Sequence, residues 1–214
     1  AQEADPRLET RLLRTAAVDE SSGDLPGAEQ TLRRLMGERP MSTRGIAALE
    51  RVLRAQGRVH EVLPFAERFA DLDPNASVPR LLEFRVYTEL DDEKGLEGAA
   101  EDWMDGAGPF PEPYREVARA YGRVFGPERA LSILERGRRE LGRSSLFAME
   151  AGDSLRDLGR MEEAVLEWAA VIGNDGSQVS GVMRRVREIE EDRETLVLPL
   201  LEQLRQPPTN GARL

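Results

Sequence analysis

The strongest constraint in this sequence is a repeat. Gly23 and Gly57 stand 34 residues apart, as do Pro40 and Pro74, Leu35 and Phe69, and Ala28 and Val62. A fixed period in the thirties, with helix signals on either side of each glycine, marks a helical solenoid. The stretch from Thr43 to Asn75 shows the unit. Its first helix carries Ile46, Leu49, Val52 and Leu53; its second carries Val62, Leu63, Phe65, Ala66, Phe69 and Leu72. Spacings of three and four put each set on one stripe. Gly57 supplies the positive φ that the turn requires, and Pro74 cannot continue the second helix. A hairpin this small cannot bury its apolar seam alone, so it must stack on neighbours.

The neighbours follow in order. Ala4 to Ser21 reads as a helix entered through Asp5-Pro6, with Leu8, Leu12, Leu13, Ala16 and Ala17 on its apolar face. Leu25 to Glu38 pairs with it through Ala28, Leu32, Leu35 and Met36. The third pair is the least regular. Leu81, Leu82, Phe84, Tyr87 and Leu90 make its first stripe, and Leu96, Ala99, Ala100, Trp103 and Met104 its second. Its turn, Asp91 to Gly95, is expected to run two or three residues longer than the others. Gly106 to Pro111 then reads as a loop or a hinge between two blocks. A fourth pair starts near Pro111, one residue short in its turn, and a fifth near Ser145. Trp103 and Trp168 are expected at equivalent places in their second helices, wedged into the core. A last pair, Val179 to Glu191 and Glu194 to Arg205, carries a heavily charged face, as suits a terminal cap. The tail, 206–214, is expected to be disordered.

The residues marking the period resemble the tetratricopeptide repeat family. Ala16, Gly23, Ala28, Leu32 and Pro40 fall at that family's marked positions in one repeat, and Gly57, Ala66 and Pro74 in the next, which departs from the pattern at Glu50 and Val62. The best match is Leu158-Gly159-Arg160-Met161-Glu162-Glu163-Ala164, with Gly152 before it and Trp168 after it. The resemblance implies an all-α, right-handed superhelical solenoid of about five helix-turn-helix repeats plus a capping helix pair. The expected divisions are 9–42, 43–76, 77–110, 111–144 and 145–178, with a cap over 179–205, all within one domain spanning 1–205.

Composition removes several functions. The net charge of −10 gives no basic face for duplex phosphates, so nucleic acid is not expected as a partner. The chain has no cysteine, hence no disulfide, thiolate metal site or cysteine nucleophile. No run approaches the ~20 apolar residues of a membrane span. His60 is the only histidine and falls in a turn, where it has no partner for acid–base work. The carboxylate clusters at Asp91-Asp92-Glu93, Glu162-Glu163 and Glu190-Glu191-Asp192 sit on turns and solvated faces, and adjacent helical residues do not face one another. No glycine-rich loop has the strand and lysine of a phosphate cradle. Neither an enzyme, a cofactor nor a metal is expected.

What remains is a surface. In the family it resembles, the first helix of each repeat lines the concave face and contacts partners. Here that face would present Arg44, Arg51 and Arg54 from the second repeat and Arg85 from the third. Arg115, Arg119 and Arg123 would come from the fourth, and Arg156 from the fifth. Lys94 is the only lysine, so either arginine is simply this chain's default polar residue or the face is built to grip carboxylates bidentately. The expected function is a scaffold binding a protein or peptide on this Arg-lined face, an acidic one if the arginines are there to grip carboxylates. The alternative is a structural subunit that self-associates head to tail in an extracellular or envelope assembly. The opening Ala1-Gln2-Glu3-Ala4 resembles a processed N-terminus, which points to a periplasmic or secreted protein, with the cytoplasm as the alternative.

Overall fold

The computed structural model describes residues 7–174, 178–187, 189, 198 and 201. Among these every regular element is helical. The helices are α1 (Leu8–Ser21), α2 (Leu25–Glu38), α3 (Thr43–Ala55), α4 (Leu63–Leu72), α5 (Ser77–Glu89), α6 (Glu93–Gly106), α7 (Pro111–Val124), α8 (Pro127–Leu141), α9 (Ala148–Asp157), α10 (Met161–Asn174) and α11 (Val179–Arg187). A short 3-10 turn, Val59–Val62, leads into α4. The chain divides into two compact units, Ala1–Gly108 and Pro109–Leu214.

In the first unit the helices pair as α1/α2 and α5/α6, α3 pairs with the 3-10 segment that leads into α4, and each second helix packs on the next first helix. Its core joins Leu32, Leu35 and Met36 to Ile46, Leu49, Val52 and Leu53, and these in turn to Val62, Ala66 and Phe69. Each of these side chains larger than alanine, fully buried, contributes ~1.5–3 kcal/mol. The second unit repeats the scheme with α7/α8 and α9/α10, α11 lying against α10. Helix starts follow capping chemistry. Asp24, Ser42 and Asp92 accept the N–H groups of Gly27, Gly45 and Gly95 at 2.9–3.0 Å.

The 34-residue register is kept more strictly than the sequence suggests. The turns α1–α2, α3 to the 3-10 segment, α5–α6 and α9–α10 each contain three residues. The α5–α6 turn is therefore not lengthened, contrary to expectation. The left-handed conformation adopted by Gly23, Gly57 and Gly159 (φ 85°, 70° and 73°) is adopted at the matching position of that turn by Asp91, at φ 53°. Aspartate tolerates this region better than most residues. Gly95, which looks like the turn glycine, lies inside α6 against the Tyr87 ring: a Cβ there would come within 2.3 Å of it. The α7–α8 turn has two residues, one short as expected, with Gly126 at φ 91°.

The same register corrects the third pair. Leu81 and Leu90, expected on the apolar stripe, are 39% and 44% exposed. Arg80 and Glu83 are buried in their place, at 8% and 1%. They fall 34 residues after Ile46 and Leu49 and 34 before Tyr114 and Val117, all core residues. Ala17, expected on the apolar face of α1, is likewise exposed.

Both tryptophans are buried, but not at equivalent places. Trp103 shares the register of Leu35 and Phe69 and meets Phe84, with ring centroids 5.8 Å apart. Trp168 shares that of Leu32 and Ala66, and packs against Gly152, where a Cβ would lie 2.4 Å from Nε1. Helix α9 begins only at Ala148, because Phe147 adopts a left-handed conformation (φ 61°) to bury its ring against Gly137. The start of the first helix at Ala4, the second cap helix from Glu194 to Arg205 and the tail lie outside the described residues, apart from 198 and 201.

Candidate partner-binding surface

The eight arginines expected on the first helices fall into three groups. Four bridge successive first helices. Arg51 on α3 donates to both oxygens of Glu20 on α1, Nε to Oε1 and Nη2 to Oε2, each at 2.7 Å. Arg85 on α5 holds Glu50 on α3 in the same way, at 3.0 and 2.6 Å. Arg54 also donates to Glu50, at 3.0 Å, and reaches across to Glu89 on α5. In the second unit Arg115 on α7 donates to Glu150 on α9 at 2.7 Å and lies 5.4 Å over the Phe147 ring. Two arginines pair within their own helix: Arg119 with Glu116 at 2.8 Å, and Arg156 with Asp157 at 2.9 and 3.0 Å. Arg44 and Arg123 are exposed and have no charged partner among the described residues.

Residues 31 to 35 apart thus meet because the first helices stand side by side. Planar guanidinium forks suit such carboxylate bridges better than lysine would. Hydrogen bonds from Arg51 hold the Glu20 carboxyl below its ordinary value, outweighing the rise that partial burial causes. A second network ties α2 to the turn after α3. Burial pushes the Glu29 carboxyl up, but hydrogen bonds from Arg33, Gln56 and Arg58 bring it below its ordinary value overall. Arg138 on α8 clasps Glu167 on α10 at 2.7 and 2.6 Å. The partners that lie on separate helices are invisible to a reading of one helix at a time.

The second unit also contains a cleft of about 300 Å³ among α7, α8 and α9. Arg115 and Arg119 line it from α7; Glu150, Asp153 and Asp157 line it from α9. Two of the expected arginines therefore share a concavity with three carboxylates. Asp153 is clasped by Arg185 from α11 and lies 3.9 Å from Arg156.

Elsewhere the structure offers little chemistry. His60 is exposed in the 3-10 turn. Among the described residues no group of three or more His, Asp and Glu side chains is placed to hold a metal ion. No helix among them is long and apolar enough to cross a membrane.

Helix pairs repeated at 34 residues, with a left-handed turn residue in each of the first three, decide the architecture. The fold is tetratricopeptide-like. Among solved structures the chain is similar to two crystal structures of MamA. One is 12% identical over 87% of this chain and 97% of that one, with a TM-score of 0.48. The other is 12% identical over 81% and 97%, with a TM-score of 0.46. It is also similar to a thermophilic TPR protein of Thermus thermophilus, at 15% identity over 89% and 99%, with a TM-score of 0.44. No family model matches the chain, and no curated protein does.

Proposed function

We propose that this chain is a non-enzymatic scaffold that binds a protein or peptide on the face made by its first helices. One observation carries the reading. In the first unit the first helices expose a row of side chains at a common register, and charged bridges between helices hold that row in place. Positions 47 and 81 are exposed at the same place on α3 and α5, and Arg51 and Arg85 lie one turn further along. A tetratricopeptide-like fold can display such a face without a single deep active site, and the described residues bring no catalytic constellation together.

Arginines already clasped by Glu20, Glu50 and Glu150 help to shape this face, so a ligand carboxylate must compete for them. Arg44 and Arg123 need no such competition, which makes them the first anchors for an acidic residue of the partner. The test is affinity capture by the immobilised chain, identification of the bound protein by mass spectrometry, and titration with the purified partner. Arg44→Glu combined with Arg123→Glu breaks no bridge between helices. The double variant is expected to lose the partner while its circular dichroism stays unchanged. Full binding by that variant would overturn the reading.

A further inference from the structure

The cleft in the second unit differs from the rest of the first-helix surface in having opposite charges on its two walls. One wall is α7. Arg119 binds Glu116 through Nη1 alone, its side chain is 53% exposed, and its Nε and Nη2 have no partner among the described residues. The other wall is α9. Asp157 accepts from Arg156 through Oδ1 alone and is 56% exposed, leaving Oδ2 open. Glu150 and Asp153 stand on the same wall, fixed by Arg115 and Arg185. Between the walls the floor is apolar: Ala118, Ala130 and Leu134 are all buried. Ser154 also lines the cleft and is only 8% exposed.

The cleft's size limits what can enter. About 300 Å³ lies at the small end of ligand clefts, which run to about 1,000 Å³. That is room for one bulky side chain, not for the whole face of a helix. Charge complementarity sets what must flank it. A purely acidic segment would meet Arg119 but be repelled by the three carboxylates opposite, and a purely basic one would meet the reverse.

We propose that this cleft takes one bulky apolar side chain of a partner helix, with a carboxylate a turn to one side seated on Arg119 and a cation a turn to the other side seated on Asp157. The assignment rests on the scaffold reading and narrows it, replacing a generally acidic ligand with a mixed-charge one at this place. Three labelled helical peptides test it on the full chain by fluorescence anisotropy. Each carries one leucine flanked a turn away on both sides, by Glu and Lys, by two Glu, or by two Lys. The mixed peptide is expected to bind at least about tenfold tighter than either other. Arg119→Glu moves the preference to the two-lysine peptide, and Asp157→Arg moves it to the two-glutamate peptide. Equal affinity for all three, no binding by the folded wild-type chain, or an order unchanged by these substitutions would overturn the assignment. A captured partner that is lost by Arg44→Glu but kept by Asp157→Arg would leave the scaffold reading standing and remove the cleft from it.

Discussion

The second and third helix pairs share one register but fill it with opposite chemistry. In the second pair Ile46 and Leu49 are buried in an apolar seam, and Gly57 makes the turn. In the third, the same three places hold Arg80, Glu83 and Asp91. Arg80 donates from Nη1 to Glu83 Oε2 at 2.9 Å, one turn along α5. Arg80 Nε and Glu83 Oε1 have no hydrogen-bond partner among the described residues. Burial pushes the Glu83 carboxyl above its ordinary value, against the attraction of Arg80, and the charges of Glu67 and Asp102 push the same way. The stack evidently fixes which positions point inward, and side chains at those positions must accept burial whatever their polarity. Among these first helices, the third pair bears the cost of desolvating an ion pair at core positions.

The sharpest way to break this comparison is to remove one charge. Glu83→Leu leaves Arg80 buried without a counter-ion and should destabilise the first unit by ~3–5 kcal/mol, measured by urea denaturation with amide exchange followed in α5 and α6. Adding Arg80→Ile should restore stability to the wild-type level or above. The converse moves the pair into the second repeat. Ile46→Arg with Leu49→Glu should cost ~1–4 kcal/mol, since a buried pair replaces well-packed apolar groups.

Smaller effects come from the bridges and the turn. The Glu20 carboxyl lies below its ordinary value of 4.5 because Arg51 clasps it. A depressed carboxylate stabilises the fold above its ordinary value, and that contribution fades as pH falls through the lowered one. The pair is solvent-screened, so Glu20→Gln should cost only ~0.5 kcal/mol at neutral pH, and the difference from wild type should shrink as pH falls below the ordinary carboxylate range and vanish only once pH is below the lowered value, in an acid titration followed by circular dichroism. Asp91→Gly relieves a left-handed backbone at the price of chain entropy. It should raise the melting temperature slightly, by the equivalent of ~0.5 kcal/mol.

The period was legible because glycine, proline and alanine fall at positions where backbone conformation or close packing restricts the choice. Gly23, Gly57 and Gly159 at the turns, and Gly152 under Trp168, are such places. The third pair hides its register for the same reason. Asp91 takes the place of a turn glycine without being one, so Gly95 drew the turn four residues too late. Arg80 and Glu83 carry no apolar signal, so the apolar pattern points to Leu81 and Leu90 instead. The arginines on the first helices could be read from periodicity. Their partners could not, because Glu20 and Arg51, or Glu50 and Arg85, meet only once separate helices stack. The cleft is a product of three helices and has no signature in any one of them.

Two adjacent positions show most directly whether the 34-residue register decides which first-helix residues face the core and which face outward. Leu81 is 39% exposed and Leu82 only 3%. Because the chain has no cysteine of its own, single substitutions Leu81→Cys and Leu82→Cys report directly on thiol accessibility. The register predicts that the thiol at 81 reacts at nearly the rate of a free one. The thiol at 82 should react on the order of 100-fold more slowly, limited by local opening. Equal rates, or faster labelling at 82, would contradict it.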